Sequence, residues 1–324
     1  MSSHNLSIFQ PSCSVVICTR NRPEELNRCL KAVMCMEYPS FDVLVVDNAP
    51  EDDRALEVAA RWGARYCVEP VIGLSRARNR GAHECRSEIV AYLDDDSVPE
   101  PGWLSALVPE FENPHVMVVT GHIGPLHLDT EAERLSAAFG ECDIGGHVCR
   151  ILDRRSRDWF DIASFGGIGN GGNMAFRRSA FDIWPGFDER LGKGSVLDGG
   201  EEHYAFFSLI DRGYRIVYTP HAVVRHPYPR TMTHLRTKYL KGLSAATAYM
   251  TFLIFEEHRY RFATMRYVAQ GLIGTQRPWR PKRAVPRPRV VAWWRRVAAY
   301  LLGPLIYAKT CLKHVPKQSK RCRT

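Results

Sequence analysis

The sequence lacks several motifs that would assign a function directly. Its ten cysteines include no CxxC pair, a pattern that suits reduced thiols in a cytosolic protein. No GxGxxG loop follows the first predicted strand, and no GxxxxGK[ST] motif occurs, so a dehydrogenase and a P-loop NTPase are both disfavoured. The N-terminal residues do not combine a basic stretch with an apolar core as a secretory signal does, which predicts a catalytic part in the cytoplasm.

Acidic residues are scarce at one end of the chain. The 324 residues carry a net charge of +9, but residues 230–324 hold 21 Lys and Arg against two acids. Residues 1–229 hold 23 bases and 33 acids. This division predicts an acidic catalytic domain at 1–229 and a basic, helical C-terminal region at 230–324.

The basic region contains a proline-rich segment at 276–289, which predicts an extended linker. After it, aromatic and aliphatic residues alternate with Arg and Lys, a composition typical of a segment at a membrane surface. The longest charge-free stretch after the linker, 297–308, has 12 residues, and a membrane-spanning helix needs about 20. An anionic membrane surface is therefore the favoured partner and nucleic acid is disfavoured. A helix packed on the catalytic domain is an equal alternative to the membrane-bound segment.

Three consecutive carboxylates, Asp94, Asp95 and Asp96, follow the apolar run 89–93. Such a run predicts a strand buried on both faces. Carboxylates this close raise one another's pKa unless a positive charge neutralises them, and an all-oxygen site suits Mg²⁺ or Mn²⁺ better than zinc. The alternative is an acidic turn that faces water.

Strand-like and helix-like segments alternate along the first part of the chain, which predicts a parallel sheet with crossover helices. Ligands of such sheets bind beyond the carboxyl ends of the strands. Thr19 and Asp47 end two of the predicted strands, so we expect them to share one polar site with the three aspartates. Residues 121–170 give no clear assignment. Strands are predicted at 14–18, 43–46, 65–68, 89–93, 215–218 and 222–225, and helices from 23, at 52–62, within 73–85, from 201 and past 234.

Polar loops after these strands suggest contacts with a nucleotide. Thr19, Arg20 and Asn21 form one such loop. Asp47 could accept a hydrogen bond from a base or a ribose, although Asp-Asn pairs also form simple turns. Arg78 belongs to a segment with two arginines, whose guanidinium groups match phosphate oxygens, but an exposed helical face would explain the same spacing.

A second group of carboxylates, Glu201 and Glu202, follows two glycines at the start of a predicted helix. Acids at this position interact well with a helix N-terminus, so a structural role is one interpretation. The other is a general base. His226 ends a predicted strand, and its neutral imidazole could complete the coordination of a metal.

Taken in order, these segments resemble glycosyltransferase family 2 over about residues 12–228. The resemblance implies a GT-A (Rossmann-like) fold, with a mostly parallel central sheet flanked by helices and a basic helical C-terminal extension. It divides the catalytic domain into a nucleotide-binding half at about 12–120 and an acceptor half at about 121–229. The matching segments are 14–22, 45–48, 73–79, 93–96, 171–177, 186–189, 199–202, 212–218 and His226.

The resemblance also implies an activity, the transfer of a sugar with inversion from a nucleoside-diphosphate sugar to an acceptor hydroxyl. The acceptor would be a saccharide, a lipid-linked molecule or a small metabolite, in cell-envelope or glycan biosynthesis. The protein would be cytoplasmic, or peripheral on the cytoplasmic face of the membrane. A metal-dependent nucleotidyltransferase and a non-catalytic membrane- or nucleic-acid-binding protein are the alternatives.

Site residues are carried over from the family position by position. Asp47 would contact the base and Asp94 the ribose or sugar, and Asp96, Asp94 and His226 would hold Mg²⁺ or Mn²⁺. Nucleotide-sugar binding is assigned to Thr19, Arg20, Asn21, Asp47, Arg78, Asn79, Asp94 and Asp95.

The acceptor half supplies the remaining assignments. Gly172 and Asn173 would lie near the transferred sugar and the acceptor. Glu202 stands where the family usually has the aspartate that removes the acceptor proton. Because its arm is one methylene longer, Glu201 remains a rival for the base.

Overall fold

The computed structural model describes residues 9–139, 146–273 and 290–313. The strands are β1 Cys13–Thr19, β2 Phe41–Asn48, β3 Arg65–Glu69, β4 Ile89–Asp94, β5 Val98–Pro99, β6 Val116–Pro125, β7 Arg150–Leu152, β8 Asn173–Arg177 and β9 Arg215–His226. The helices are α1 Pro23–Val33, α2 Arg54–Arg61, α3 Leu74–Glu84, α4 Trp103–Leu107, α5 Glu131–Phe139, α6 Trp159–Ser164, α7 Ala180–Ile183, α8 Glu201–Asp211, α9 Met232–Glu256, α10 Arg261–Leu272 and α11 Trp293–Lys313, with a 3₁₀ helix at Val108–Glu112.

All nine strands form one sheet in the order β3-β2-β1-β4-β8-β6-β9-β5, with β7 also paired to β9. The first four strands in this order pair in parallel, as the alternation of strands and helices predicts. The second half is mixed, because β8 runs antiparallel to both β4 and β6 while β9 runs parallel to β6. The carboxyl ends of β1, β2 and β4 therefore meet at one edge.

Two details differ from the sequence-based expectations. The strands predicted at 215–218 and 222–225 are a single strand, β9, because it follows β6 through a register shift opposite residues 121 and 122. The unassigned stretch 121–170 contains the end of β6 together with α5, β7 and α6. The predicted linker at 276–289 lies outside the described residues.

The core lies on both faces of the sheet. Val15 and Ile17 of β1 belong to one buried cluster with α1, whereas Val16 belongs to the cluster on the opposite face. Successive side chains of a strand point to opposite faces, so a strand covered on both sides needs a continuous apolar run. This explains the continuous apolar runs at 15–18 in β1 and at 89–93 in β4.

The C-terminal helices pack on the rest of the molecule. Tyr249 and Phe252 of α9, Tyr267 of α10 and Tyr307 of α11 belong to the same buried cluster as Phe207 of α8. No helix in the described part of the chain is long and apolar enough to span a bilayer. The domain boundary at residue 229 stays a prediction, and the buried cluster contains residues from both sides of it.

Helix α3 approaches β1 so closely that only glycine fits at position 81. A Cβ atom there would lie 2.5 Å from Cγ1 of Val16. We expect Gly81→Ala to lower the free energy of unfolding by about 1–3 kcal/mol, because the core would be overpacked. A Cβ added to the helical Gly242 would meet no atom within 4 Å, so Gly242→Ala should be neutral or stabilise by up to about 1 kcal/mol. Chemical denaturation would measure both, and equal effects would contradict the packing argument.

Candidate active site

A cleft lies at the carboxyl edge of the parallel strands, where the sequence predicts the site. In the sheet register Thr19 lies opposite Asp47, and Cys18 lies opposite Asp94. The cleft has a volume of about 300 Å³. Its walls include Thr19, Arg22, Asp94, Asp96, Lys193 and His226, and Arg20 and Asp95 also line it.

Asp95 is the buried member of the acidic triplet. It accepts hydrogen bonds from Thr19 Oγ1 at 2.8 Å and from Arg22 Nη1 at 2.7 Å. Burial raises the pKa of Asp95 to about 7, although Arg22 and Thr19 oppose the shift. Arg22 also donates to Asp96 at 2.8 Å. A single guanidinium therefore joins two of the three carboxylates and holds the loop in place.

Asp94, Asp96 and His226 form the group that could hold a metal. Their ligand atoms all lie within 4.8 Å of one another. Oδ1 of Asp96 is buried, accepts no hydrogen bond from any described residue and lies 3.3 Å from Nε2 of His226. Two ligands at right angles on an octahedral Mg²⁺, each about 2.1 Å from the ion, are about 3.0 Å apart. The donor set and its spacing therefore fit a divalent cation.

Asp47 sits at the end of β2 with almost no exposure. Tyr66 donates to its Oδ2 at 2.9 Å, while its Oδ1 is buried without a hydrogen-bond partner among the described residues. Burial raises the pKa of Asp47. An acceptor of this kind suits an N–H or O–H of a ligand, since an unpaired buried oxygen costs stability. Asn48 is engaged differently, because its amide bonds the backbone of Glu69, Val71 and Gly73.

The loop residues Arg20 and Asn21 lie at the rim of the site. Both are exposed. Asn21 has a positive φ of 54°, and its Oδ1 accepts from the backbone N–H of Glu51. Asn21 thus ties the loop after β1 to the loop after β2, and its contact with the donor stays a prediction.

Arg78 is buried on α3 and links the two halves of the site. Its Nη1 donates to Glu201 at 2.8 Å, and its Nη2 donates to the carbonyl of Gly171 at 2.9 Å. The same Nη2 lies 3.7 Å from Asp94. The exposed-face interpretation is therefore wrong for Arg78. Its contact with a donor phosphate stays a prediction, because the guanidinium is occupied by the protein's own groups.

Asn79 and Asn173, which the sequence predicts to lie near substrate, form hydrogen bonds with the protein's own backbone and are not among the residues that line the cleft. Asn79 both donates to the carbonyl of Phe187 and accepts from its N–H, each at 2.8 Å. Asn173 is fully buried, donates to the carbonyls of His122 and Ala222, and accepts from the indole of Trp103. These contacts give both amides structural roles, and their contacts with substrate stay predictions.

The carboxylates at the start of α8 have different surroundings. Glu201 is buried and bonded to Arg78, whereas Glu202 is partly exposed, and a Cβ added to Gly171 would lie 3.4 Å from its Cβ. Burial, with the charge of Glu202, raises the pKa of Glu201. Although burial opposes it, the charges of His203 and Arg78 lower the pKa of Glu202. Glu202 is thus the more exposed carboxylate of the pair, and the one whose pKa is lowered.

Gly172 allows the second half of the site to approach the acidic triplet. A Cβ on Gly172 would lie 2.7 Å from Oδ2 of Asp94. The loop before β8 can therefore pass directly over Asp94 because it carries no side chain there. Gly172 lies next to the candidate metal group, and its contact with the sugar or the acceptor stays a prediction.

Sequence reasoning missed two basic residues of the cleft. Arg22 belongs to the matching segment 14–22, but its sequence position gives it no role, and its bonds to Asp95 and Asp96 appear only once β1 and β4 are paired. Lys193 lines the cleft and lies 3.5 Å from Asp198. Its only signal was its position between two glycines, Gly192 and Gly194, which predicts a tight loop but no ligand.

Comparisons with known proteins agree with this geometry. Residues 14–184 match the model of Glycosyl transferase family 2. A glucosyl-dolichyl phosphate glucuronosyltransferase from Haloferax volcanii is 28% identical over 225 residues, which are 66% of this chain and 68% of the relative. A pre-mycofactocin glycosyltransferase from Mycobacterium tuberculosis is 28% identical over 223 residues, 66% of this chain but only 42% of the relative.

A solved structure matches the fold over almost the whole chain. It is a mannosyltransferase from Pyrobaculum calidifontis in complex with GDP-Man and Mn²⁺, with a TM-score of 0.55 and 15% identity. The match covers 96% of this chain and 89% of that one. The predicted GT-A fold with a C-terminal helical extension is confirmed.

The candidate metal group can be tested without knowledge of any substrate. We expect Asp96→Ala to weaken Mn²⁺ binding at least about tenfold, because even residues behind metal ligands cost about 10- to 100-fold when removed. Titration of Mn²⁺ followed by water-proton relaxation would measure it. Asp182→Ala removes an exposed acid of α7 and should leave binding unchanged. Equal affinity of the Asp96 variant and the original protein would contradict the site.

Proposed function

Because the chain belongs to glycosyltransferase family 2, we propose that it is an inverting, metal-assisted enzyme with a carboxylate base. The family makes it a glycosyltransferase that acts on a nucleotide sugar, as the sequence resemblance predicted. The acceptor is proposed to be a hydroxyl group. The observation that carries the proposal is that the loop before β8 passes close to Asp94 at Gly172 and close to Glu202 at Gly171.

The donor is proposed to lie along the cleft with its base near Asp47. The unpaired Oδ1 of Asp47 can accept an N–H of the base. Thr19, Arg20 and Asn21 border the nucleoside, and Asp94 and Asp95 lie where the ribose and sugar would follow. Lys193, at the far wall, is placed to face the diphosphate, and its present partner Asp198 would compete with that contact.

Mg²⁺ or Mn²⁺ is proposed to bind Asp94, Asp96 and His226, the group whose spacing fits a divalent ion. A bound divalent cation supplies charge that stabilises a departing diphosphate. Arg22 contributes on the protein side, because its bonds to Asp95 and Asp96 keep two carboxylates from repelling each other. The Mn²⁺ bound in the Pyrobaculum complex supports the choice of ion.

Glu202 is proposed as the general base. It is the more accessible of the two carboxylates, and its lowered pKa keeps it ionised and able to accept a proton. Glu201 is proposed as a positioning residue, because its carboxylate is held by Arg78. Glu202 would take the proton of the acceptor hydroxyl while that oxygen attacks the anomeric carbon from the face opposite the diphosphate. General-base assistance contributes about 10²- to 10⁴-fold.

A nucleotidyltransferase, the alternative enzyme, would also combine carboxylates with a nucleotide. The two reactions release different products. Nucleoside diphosphate accompanies glycosyl transfer, whereas pyrophosphate accompanies nucleotidyl transfer. Family membership favours the first, and chromatography of the released nucleotide would decide.

The roles of the two glutamates can be separated by isosteric variants. We expect Glu202→Gln to lower kcat about 10²- to 10⁴-fold with an unchanged donor Kd, because only proton removal is lost. Glu201→Gln should weaken the bond to Arg78, lower the melting temperature and reduce turnover less. Steady-state kinetics, donor titration and thermal unfolding would measure these effects. Full turnover by Glu202→Gln would move the base to Glu201 or remove it.

The protein is also proposed to bind an anionic membrane surface through α11, at the cytoplasmic face. Large apolar side chains lie exposed along this helix, among them Trp293, Leu301, Leu305 and Leu312. Its sequence contains no acid, and its cations include Arg295, Arg296, Lys309 and Lys313. An apolar face with flanking cations is typical of interfacial helices. The Haloferax relative, named for glucosyl-dolichyl phosphate, supports a lipid-linked acceptor.

Flotation with liposomes tests the membrane proposal. We expect the full chain to float with vesicles of phosphatidylglycerol and phosphatidylcholine, and Leu301→Glu to reduce flotation several-fold, because a charge on the apolar face opposes insertion. Ile151→Glu is a matched control, since Ile151 of β7 is 64% exposed and Leu301 is 67% exposed. Equal loss in both variants, or no flotation of the original chain, would contradict this surface.

A further inference from the structure

We propose that the groove between α9 and α11 binds an amphiphilic acceptor, with a hydrocarbon chain in the groove and a phosphate beside Lys241 and Arg295. The proposal rests on the proposed glycosyl transfer and names the class of its acceptor. The groove has a volume of about 600 Å³. Its lining includes Leu240, Lys241, Ala245, Trp294, Ala298 and Leu302.

The groove adjoins the start of α8, the helix that carries the proposed base Glu202. Residues 196–198, which also line it, lead directly into the two glycines before α8. A Cβ on Gly199 would lie 3.5 Å from Cβ of Ala245, and a Cβ on Gly200 would overlap the ring of Tyr249. The loop that carries Glu202 therefore rests on α9, immediately after the groove. Residues 196–200 thus connect the lining of the groove with the start of α8.

The charges of the groove match an anionic head group. Lys241 and Arg295 belong to its lining, and both are exposed. The one acid among the described lining residues, Asp198, lies 3.5 Å from Lys193. The remaining lining is mostly aliphatic and aromatic. Two cations in the lining of an apolar groove suit a phosphate on a hydrocarbon chain better than a neutral sugar or an acidic peptide.

The loop at 193–198 separates this groove from the donor cleft. Lys193 and Gly194 line the cleft, whereas residues 196–198 line the groove. Donor and acceptor would thus reach the reaction from opposite sides of one loop. This arrangement is compatible with an inverting reaction, in which the acceptor oxygen attacks the face opposite the departing diphosphate.

The groove is distinct from the outward face of α11. Leu301 and Leu305 are exposed but do not line the groove, whereas Leu302 and Ala298 do. Helix α11 can therefore rest on lipid with one face and hold a single chain with another. A flat membrane contact would not require a concave channel next to the catalytic loop.

Calorimetric titration of the full chain with decyl phosphate, below its micelle concentration and without vesicles, tests the groove. We expect saturable 1:1 binding, with Kd falling about tenfold for every two methylenes from hexyl to decyl phosphate. Inorganic phosphate and decanol, which each carry half of the ligand, should bind far more weakly. Absence of saturable binding, or equal binding of decanol, would overturn the proposal.

Matched variants locate the binding. Ala298→Trp should fill the groove and abolish decyl phosphate binding, and Lys241→Gln should weaken it about threefold to tenfold. Leu305→Trp and Lys309→Glu change the outward part of the same helix and should have no effect. If the control pair weakened binding as much as the groove pair, the ligand would lie on the outer face and the proposal would fail.

A measurement of donor binding distinguishes failure of the groove proposal from failure of the proposed function. Mn²⁺-dependent binding of a nucleotide sugar should persist in Ala298→Trp and in Lys241→Gln, because neither residue touches the donor cleft. Loss of alkyl phosphate binding together with intact donor binding is the expected result. If donor binding is intact in the original chain and decyl phosphate does not bind, only the groove proposal fails. If no nucleotide sugar binds at all, the proposed function fails independently.

Discussion

The buried guanidinium of Arg78 is the interaction on which the geometry of the site depends. It lies between Glu201 of α8, the carbonyl of Gly171 and, at 3.7 Å, Asp94 of β4. These groups come from segments far apart in sequence, and they meet because one cation needs several oxygens once it is removed from water. Burying an unpaired charge is costly, so the folded chain must bring Gly171 and the start of α8 against α3 and the end of β4.

The parallel part of the sheet creates the opposite problem, an excess of negative charge. Asp47, Asp94, Asp95 and Asp96 all end at one edge because β1, β2 and β4 run in the same direction. The protein compensates these negative charges only in part. Arg22 bonds Asp95 and Asp96, and Tyr66 donates a hydrogen bond to Asp47. Oδ1 of Asp47 and Oδ1 of Asp96 have no hydrogen-bond partner among the described residues. This incomplete compensation supports the proposal that a base and a cation bind at this edge.

The sequence was sufficient to predict the family, the sheet edge and the acidic group, because strand ends and charge are local properties. It could not predict partners. Asn79, Asn173 and Arg78 carry polar groups in family motifs, and a motif gives no sign whether such a group meets substrate or backbone. Only the folded chain shows Asn173 bonded to two carbonyls and to Trp103. Likewise, Glu201 and Glu202 are chemically equal in the sequence and become different only when Arg78 reaches one of them. The continuity of β9 was missed for the same reason, since it depends on the bulge against β6.

The loop at 192–200 connects these local arrangements with the C-terminal helices. Its backbone takes left-handed conformations at Gly192, Gly194, Asp198 and Gly200, so the chain turns repeatedly within a few residues. This brings Lys193 to the cleft at the carboxyl edge of the sheet and residues 196–198 to the groove, and Glu202 follows two residues after Gly200. Any displacement of α9 would move Gly200, which packs on Tyr249, and with it the start of α8. The packing of α9 against this loop therefore sets the position of the proposed base Glu202.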